Sequence, residues 1–148
     1  MKTTLDIICR EELLARINLL DENKTALWGK MNVIQMIKHC ILWEEMVFGE
    51  KTYKRVFIGR IFGKMALRNI LKDDKPLKRN TPTIPEFIIK ETSGNLVDEK
   101  INWIAIIRQY EHFTNDHFIH PFFGKMTKEQ IGIMAYKHID HHLRQFGV

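Results

Sequence analysis

The sequence predicts an all-α fold, a four-helix bundle whose second and third helices are joined by a long crossover. Three observations lead there. Four stretches carry apolar residues at helical spacing. Two of them open on a polar capping pattern, and an interval bearing prolines and glycines separates the second stretch from the third. At 148 residues the chain suits a single domain, 1–148, with a substantial core.

The first helix is expected from about Leu5 to Leu20, with Leu5, Ile8, Leu13, Ile17 and Leu20 forming its inward stripe. The second begins at Asn32-Val-Ile-Gln35, where the asparagine can cap the helix and the glutamine can reach back to it. It runs to about Phe48 and stops before Gly49. The crossover follows, from Lys51 to about Gly94. Val56 to Leu71 is apolar enough for one or two shorter helices interrupted by Gly59 and Gly63. Pro82 and Pro85 then exclude a regular helix. The third long helix is expected from about Leu96 to Phe113, with Val97, Ile101, Ile104, Ala105 and Arg108 near one face. The fourth opens on a second capping box, Thr127 to Gln130, and ends at Phe146 before Gly147.

Composition narrows the function. A hydrophobic fraction of 45% with 28% charged residues is ordinary for a globular domain and argues against disorder. No apolar run approaches the roughly 18 residues that span a bilayer, and the N-terminus lacks a signal-peptide core, so a cytoplasmic location is expected. Cys9 and Cys40 are too isolated for a disulfide framework and read as reduced core residues. The net charge of +5 comes from clusters at Lys51–Arg55 and Arg60–Arg79, the second interleaved with Asp73 and Asp74. Without a one-signed stripe or a recognition motif, that pattern reads as a solvated basic surface. It leaves room for a small anionic substrate, with no nucleic-acid and no membrane partner expected.

The histidines carry the chemistry. His138 and His142 are one helical turn apart, roughly 5–6 Å between Cβ atoms, and continue the apolar stripe of Ile131, Met134 and Ala135. Two imidazoles so placed in a core can share one metal ion, although a lone histidine on an apolar face is more often a hydrogen-bonded core residue. His39, in the second helix, is the third candidate. His141 points away from His142 and reads as an outer or surface group. His120, in His120-Pro-Phe-Phe-Gly124, could reach the same end of the bundle or simply anchor its loop. Other chemistries are excluded on residue type: there is no Glu-x-x-His pair for a di-iron centre, no His-Glu-x-x-His, no phosphate-binding glycine loop and no nucleophile-elbow serine. Cys40 beside His39 does not make a nucleophilic pair, because adjacent helical residues point about 100° apart.

Trp28-Gly-Lys-Met-Asn-Val-Ile-Gln-Met-Ile-Lys-His-Cys40, Asp74-Lys-Pro76, His120-Pro-Phe-Phe-Gly-Lys-Met-Thr127 and Tyr136-Lys-His-Ile-Asp-His-His-Leu-Arg-Gln-Phe-Gly147 together resemble the DinB/YfiT-like superfamily over nearly the whole chain. Within it they are similar to a bacterial branch catalogued as a domain of unknown function. This superfamily is the helical bundle, not the translesion polymerase. The resemblance implies an up-down-down-up bundle binding one divalent metal through His39, His138 and His142, and three neutral imidazoles suit Zn²⁺ or Ni²⁺. Gln145 matches a glutamine three residues beyond the second motif histidine. Characterised relatives are thiol-dependent transferases using low-molecular-weight thiols such as bacillithiol, mycothiol or glutathione, and some are isomerases or hydrolases.

The resulting expectation is a metal-dependent S-transferase, or a metal-assisted hydrolase, joining a low-molecular-weight thiol to a small electrophile. The different-class alternative is a non-catalytic metal-binding or stress-associated bundle acting by interaction. The crossover and the His120–Gly124 loop are expected to wall a pocket above the metal, with Trp43, Phe122 and Phe123 as apolar lining. His120 is the candidate catalytic proton-transfer group and Arg144 the candidate anion contact. A homodimer is a further expectation from the resemblance.

Overall fold

The computed structural model of the chain describes residues 1–115 and 117–148. Among the described residues five α-helices form, α1 (Ile7–Asn18), α2 (Val33–Phe48), α3 (Phe57–Ile70), α4 (Leu96–Arg108) and α5 (Lys128–Gln145). Short 3-10 turns occupy Pro85–Phe87 and Gln109–His112. A small antiparallel ribbon pairs β1 (Ile119–His120) with β2 (Gly124–Lys125).

Local chemistry sets the helix ends. In α2 the Asn32 carboxamide accepts from the Gln35 backbone N–H at 2.9 Å, while Gln35 Oε1 accepts from the Asn32 N–H at 3.1 Å. Thr127 and Gln130 close the same box at the start of α5. Two further caps carried no box pattern: Asp6 accepts from Cys9 N–H ahead of α1, and Asn95 accepts from Val97 and Asp98 ahead of α4. Gly49 ends α2 in the left-handed region, φ 86°.

α1 and α2 each pack against both α4 and α5. Their shared core includes Leu13, Ile17, Ile37, Trp103, Ile139 and Leu143. A second apolar cluster, with Trp43, Tyr110, Phe113, Phe123 and Met134, fills the end toward the ribbon. Glu44 is fully buried there and accepts the Tyr110 hydroxyl, while its other oxygen has no partner among the described residues. Desolvation raises its carboxyl from the ordinary range to about 8.

Two helix faces differ from expectation. Leu13 and Ile17 on α1, and Leu20 just beyond it, are buried as expected, but Ile8 is 76% exposed and Leu14 is buried in addition. In α4, Val97 and Ile101 face outward while Leu96, Trp103, Ile106 and Ile107 are buried. Two apolar stripes compete on α4. The one bearing Trp103 removes more apolar area from water, and it wins. Cys9 is only half-buried at the core's edge, whereas Cys40 is enclosed.

The crossover also differs. Gly59 and Gly63 do not interrupt α3; they are its contact with the ribbon. A Cβ on them would stand 2.5 and 2.1 Å from the Phe122 carbonyl oxygen, so only glycine allows the two backbones so close. The proline-bearing half, residues 72–94, buries one side chain, Phe87. Leu77 and Ile84 pack partly buried against the second cluster, Glu91 pairs with Lys38, Arg79 lies over the Trp28 ring, and several carbonyls accept from the bundle. Lys137 Nζ donates to Asp73 O at 2.6 Å and Lys75 O at 2.8 Å, Gln35 Nε2 to Ile89 O at 3.0 Å, and Asn32 Nδ2 to Thr92 O at 2.7 Å. Among the described residues, no helix is long and apolar enough to cross a membrane.

Candidate metal centre

α2 delivers His39 to the interior, and α5 delivers His138 and His142 one turn apart. All three are buried, and each offers a ligand atom within 4.8 Å of the others. His39 Nε2 and His138 Nε2 are 3.2 Å apart. Ligands at about 2.0–2.1 Å in a tetrahedral arrangement stand about 3.3–3.4 Å from one another, so this spacing fits a shared ion. It would equally serve a hydrogen bond between the rings. His39 cannot be its neutral donor, because its Nδ1–H already faces the Phe87 carbonyl at 3.0 Å.

The protonation state suits a metal. Desolvation lowers all three rings, His142 to about 3 and His138 well below its ordinary value, and neighbouring imidazoles push the last two further down. Neutral imidazole is the form that ligates.

Two of the rings are aimed by partners beyond them. His142 Nδ1 donates to Gln145 Oε1 at 2.9 Å, which leaves Nε2 free to ligate. The Gln145 amide is itself fixed, because its Nε2 donates to Trp28 O at 2.7 Å. A Cβ on Gly29, which has φ 81°, would meet that Nε2 at 2.7 Å, so the residue after Trp28 must be small for the link to form. Phe87 O, from the crossover, does for His39 what Gln145 does for His142. His138 Nδ1 has no partner among the described residues; Trp43 holds this ring instead, stacked at 5.0 Å between centroids.

The remaining candidates fall outside the cluster. His120 Nδ1 accepts from the backbone N–H groups of Phe122 and Phe123 at 3.1 and 3.2 Å, and its ring stacks on Phe123. Burial, with the Arg55 cation nearby, lowers it to about 3. It braces the ribbon turn in a neutral form. Arg144 is half-exposed and donates to Asp140 at 2.7 Å, where Arg16 also pairs. His141 is half-buried, edge-on to Trp28 and to His142. The Cys40 thiol contacts Met36 Sδ, and enclosure pushes it well above the ordinary thiol range, so it supplies no nucleophile.

Of the expected lining residues, Trp43 reaches the histidines, while Phe123 lies in the second core cluster with Phe122 packed against it. Two open surface depressions lie away from the histidines, beside Phe48 and His112 and beside Lys64 and Met126. Residue type and spacing pointed to all three clustered histidines. They gave no sign of Phe87 and Trp28, because a backbone carbonyl leaves no residue-type signal; the glycine after Trp28 is the one hint of a close approach.

The model of the family described as a protein of unknown function, DUF1569, matches residues 1–147. No curated protein and no solved structure matches the chain.

Proposed function

Since the chain belongs to the DUF1569 family, whose description assigns no activity, we propose a function from the site itself: a divalent-metal-dependent enzyme that joins a low-molecular-weight thiol to a small electrophile. The observation that carries this reading is the donor set. His39, His138 and His142 converge, and no fourth His, Cys, Asp or Glu joins them among the described residues. Structural zinc sites are closed by four protein ligands, whereas catalytic ones keep a position for water or substrate. The DinB/YfiT-like resemblance, with its four-helix bundle and its thiol transferases, supports the same reading. Imidazole donors suit Zn²⁺ or Ni²⁺.

When bound, such an ion lowers the pKa of a thiol or water toward neutrality. The chain's own residues do the rest. Phe87 O and Gln145 aim two rings, Trp43 covers the third, and the crossover holds water away from His39. The thiol comes from outside, because Cys40 is sealed in the core. Metal-assisted hydrolysis is the near variant. The cytoplasm, where such thiols are kept reduced, is the compartment this chemistry needs.

One observation favours a second reading, a non-catalytic metal-binding or stress-associated bundle: the three rings are only 6–8% exposed. The test begins with metal content by mass spectrometry on untagged protein, expected at one Zn²⁺ or Ni²⁺ per chain. His138→Ala should lose that metal while circular dichroism stays helical. Turnover of a panel of thiols and electrophiles by the loaded wild type separates the two readings. Protein that takes up neither ion overturns both.

A further inference from the structure

α3 turns its two glycines and Leu67 inward and its other large apolar residues mostly outward. Gly59, Gly63 and Leu67 are buried toward the ribbon, while Phe57, Ile58, Ile61, Phe62 and Met65 are 77, 57, 59, 48 and 58% exposed. At about 100° per residue, these five cover one arc of the helix opposite the glycines. The helix cannot roll to hide them, because the glycine contacts with the Phe122 carbonyl fix its rotation.

Charge surrounds this face with one sign. Between Lys51 and Lys72 the sequence has seven cations, Lys51, Lys54, Arg55, Arg60, Lys64, Arg68 and Lys72, and no acidic residue. Of the seven, Lys51 is the one in an ion pair among the described residues, with Glu45. Arg60 and Lys64 border the apolar arc on one side, Arg68 falls just inside that edge toward the end of the helix, and all three are exposed. Lys125, exposed on the adjoining strand, receives the Lys64 ammonium on its carbonyl and adds to the field.

We propose that α3 is a docking helix for an anionic lipid surface, lying in the headgroup plane. Its five apolar side chains enter the acyl boundary, and Arg60, Lys64 and Arg68 meet lipid phosphates. A helix with a broad apolar face and a cationic flank, too polar around its circumference to be buried on all sides, is the form that lies in such an interface rather than crossing it. The charge chooses this occupant over a second copy of the chain. Pairing two α3 faces would bring two sets of unpaired cations together with no acid between them, whereas an anionic bilayer neutralises them all. The expected absence of a membrane partner rested on the lack of a spanning segment, which does not bear on in-plane binding.

Co-sedimentation tests the idea with vesicles of phosphatidylcholine containing about one-third phosphatidylglycerol, and with phosphatidylcholine alone. The protein should bind the anionic vesicles at least tenfold better, and raised salt should weaken that binding. Phe57→Trp should show a blue-shifted emission on the anionic vesicles only. Ile61→Asp with Phe62→Asp should abolish binding while the circular dichroism spectrum stays that of the parent. Absence of binding to anionic vesicles by the parent overturns the proposal. If the double variant also converts a sedimenting dimer to monomer, the face belongs to a second copy instead. Binding that survives the double variant shows that another surface is responsible and overturns it equally.

Discussion

Glu44→Gln should stabilise the protein at pH 8 and leave it nearly unchanged at pH 5. Glu44 is enclosed beside Tyr110, and desolvation raises its carboxyl from 4.5 to about 8. Between those values the unfolded chain has released the proton and the folded chain still holds it. The folded state binds more protons, so stability falls as pH rises. At about 1.4 kcal/mol per unit, the loss reaches about 4 kcal/mol at pH 8. Glutamine carries no charge at any pH, keeps an oxygen for the Tyr110 hydroxyl and removes that slope. Urea unfolding of both proteins at pH 5 and pH 8 measures it, with equal m-values confirming that the unfolded ensembles match. The two should agree within about 1 kcal/mol at pH 5 and differ by about 4 kcal/mol at pH 8. The buried histidines titrate identically in both proteins and cancel from the difference. An equal loss at both pH values would show that Glu44 is ionised in the fold and refute the reasoning.

The histidines give the opposite slope on the acid side. His120 and His142 are held near 3 in the fold, so as pH falls from 6.5 toward 3 the unfolded chain takes up protons that the folded chain refuses; metal-free protein should lose melting temperature steadily over that window, read by circular dichroism. Gln145→Leu should weaken metal binding about 10- to 100-fold by calorimetry, since His142 loses its aim while α5 keeps its apolar face. Gly63→Val should cost about 3 kcal/mol in urea unfolding and expose the ribbon to hydrogen exchange, because the new Cβ lands on the Phe122 carbonyl.

The sequence made the helices legible where their ends carry chemistry. Asn32–Gln35 and Thr127–Gln130 each satisfy two backbone N–H groups reciprocally, and that pattern depends on nothing beyond four residues. The face a helix buries depends on its neighbours, which is why Ile8 and Val97, inward by spacing alone, stand outward in the fold. The glycines of α3 show the same limit, since a breaker and a close-packing contact are written with the same residue. At the site, His138 and His142 were visible because one helix sets their separation; His39, on another helix, was a candidate by residue type, and the resemblance tied it to the pair. Phe87 and Trp28 act through their carbonyls, an atom every residue has, so only the fold could single them out.

The Phe87 carbonyl makes the crossover a participant in whatever His39 holds. Free-energy coupling runs in both directions: if an ion at the histidines tightens the 72–94 strap, a molecule that pins or peels the strap changes the ion's affinity by the same factor. The strap fully buries one side chain, so what opposes its detachment is a set of hydrogen bonds, the Lys38–Glu91 ion pair, the Arg79 guanidinium over Trp28, and the packing of Phe87, Leu77 and Ile84. Protease cutting between Lys72 and Lys90 thus becomes a gauge of occupancy at a site it never touches.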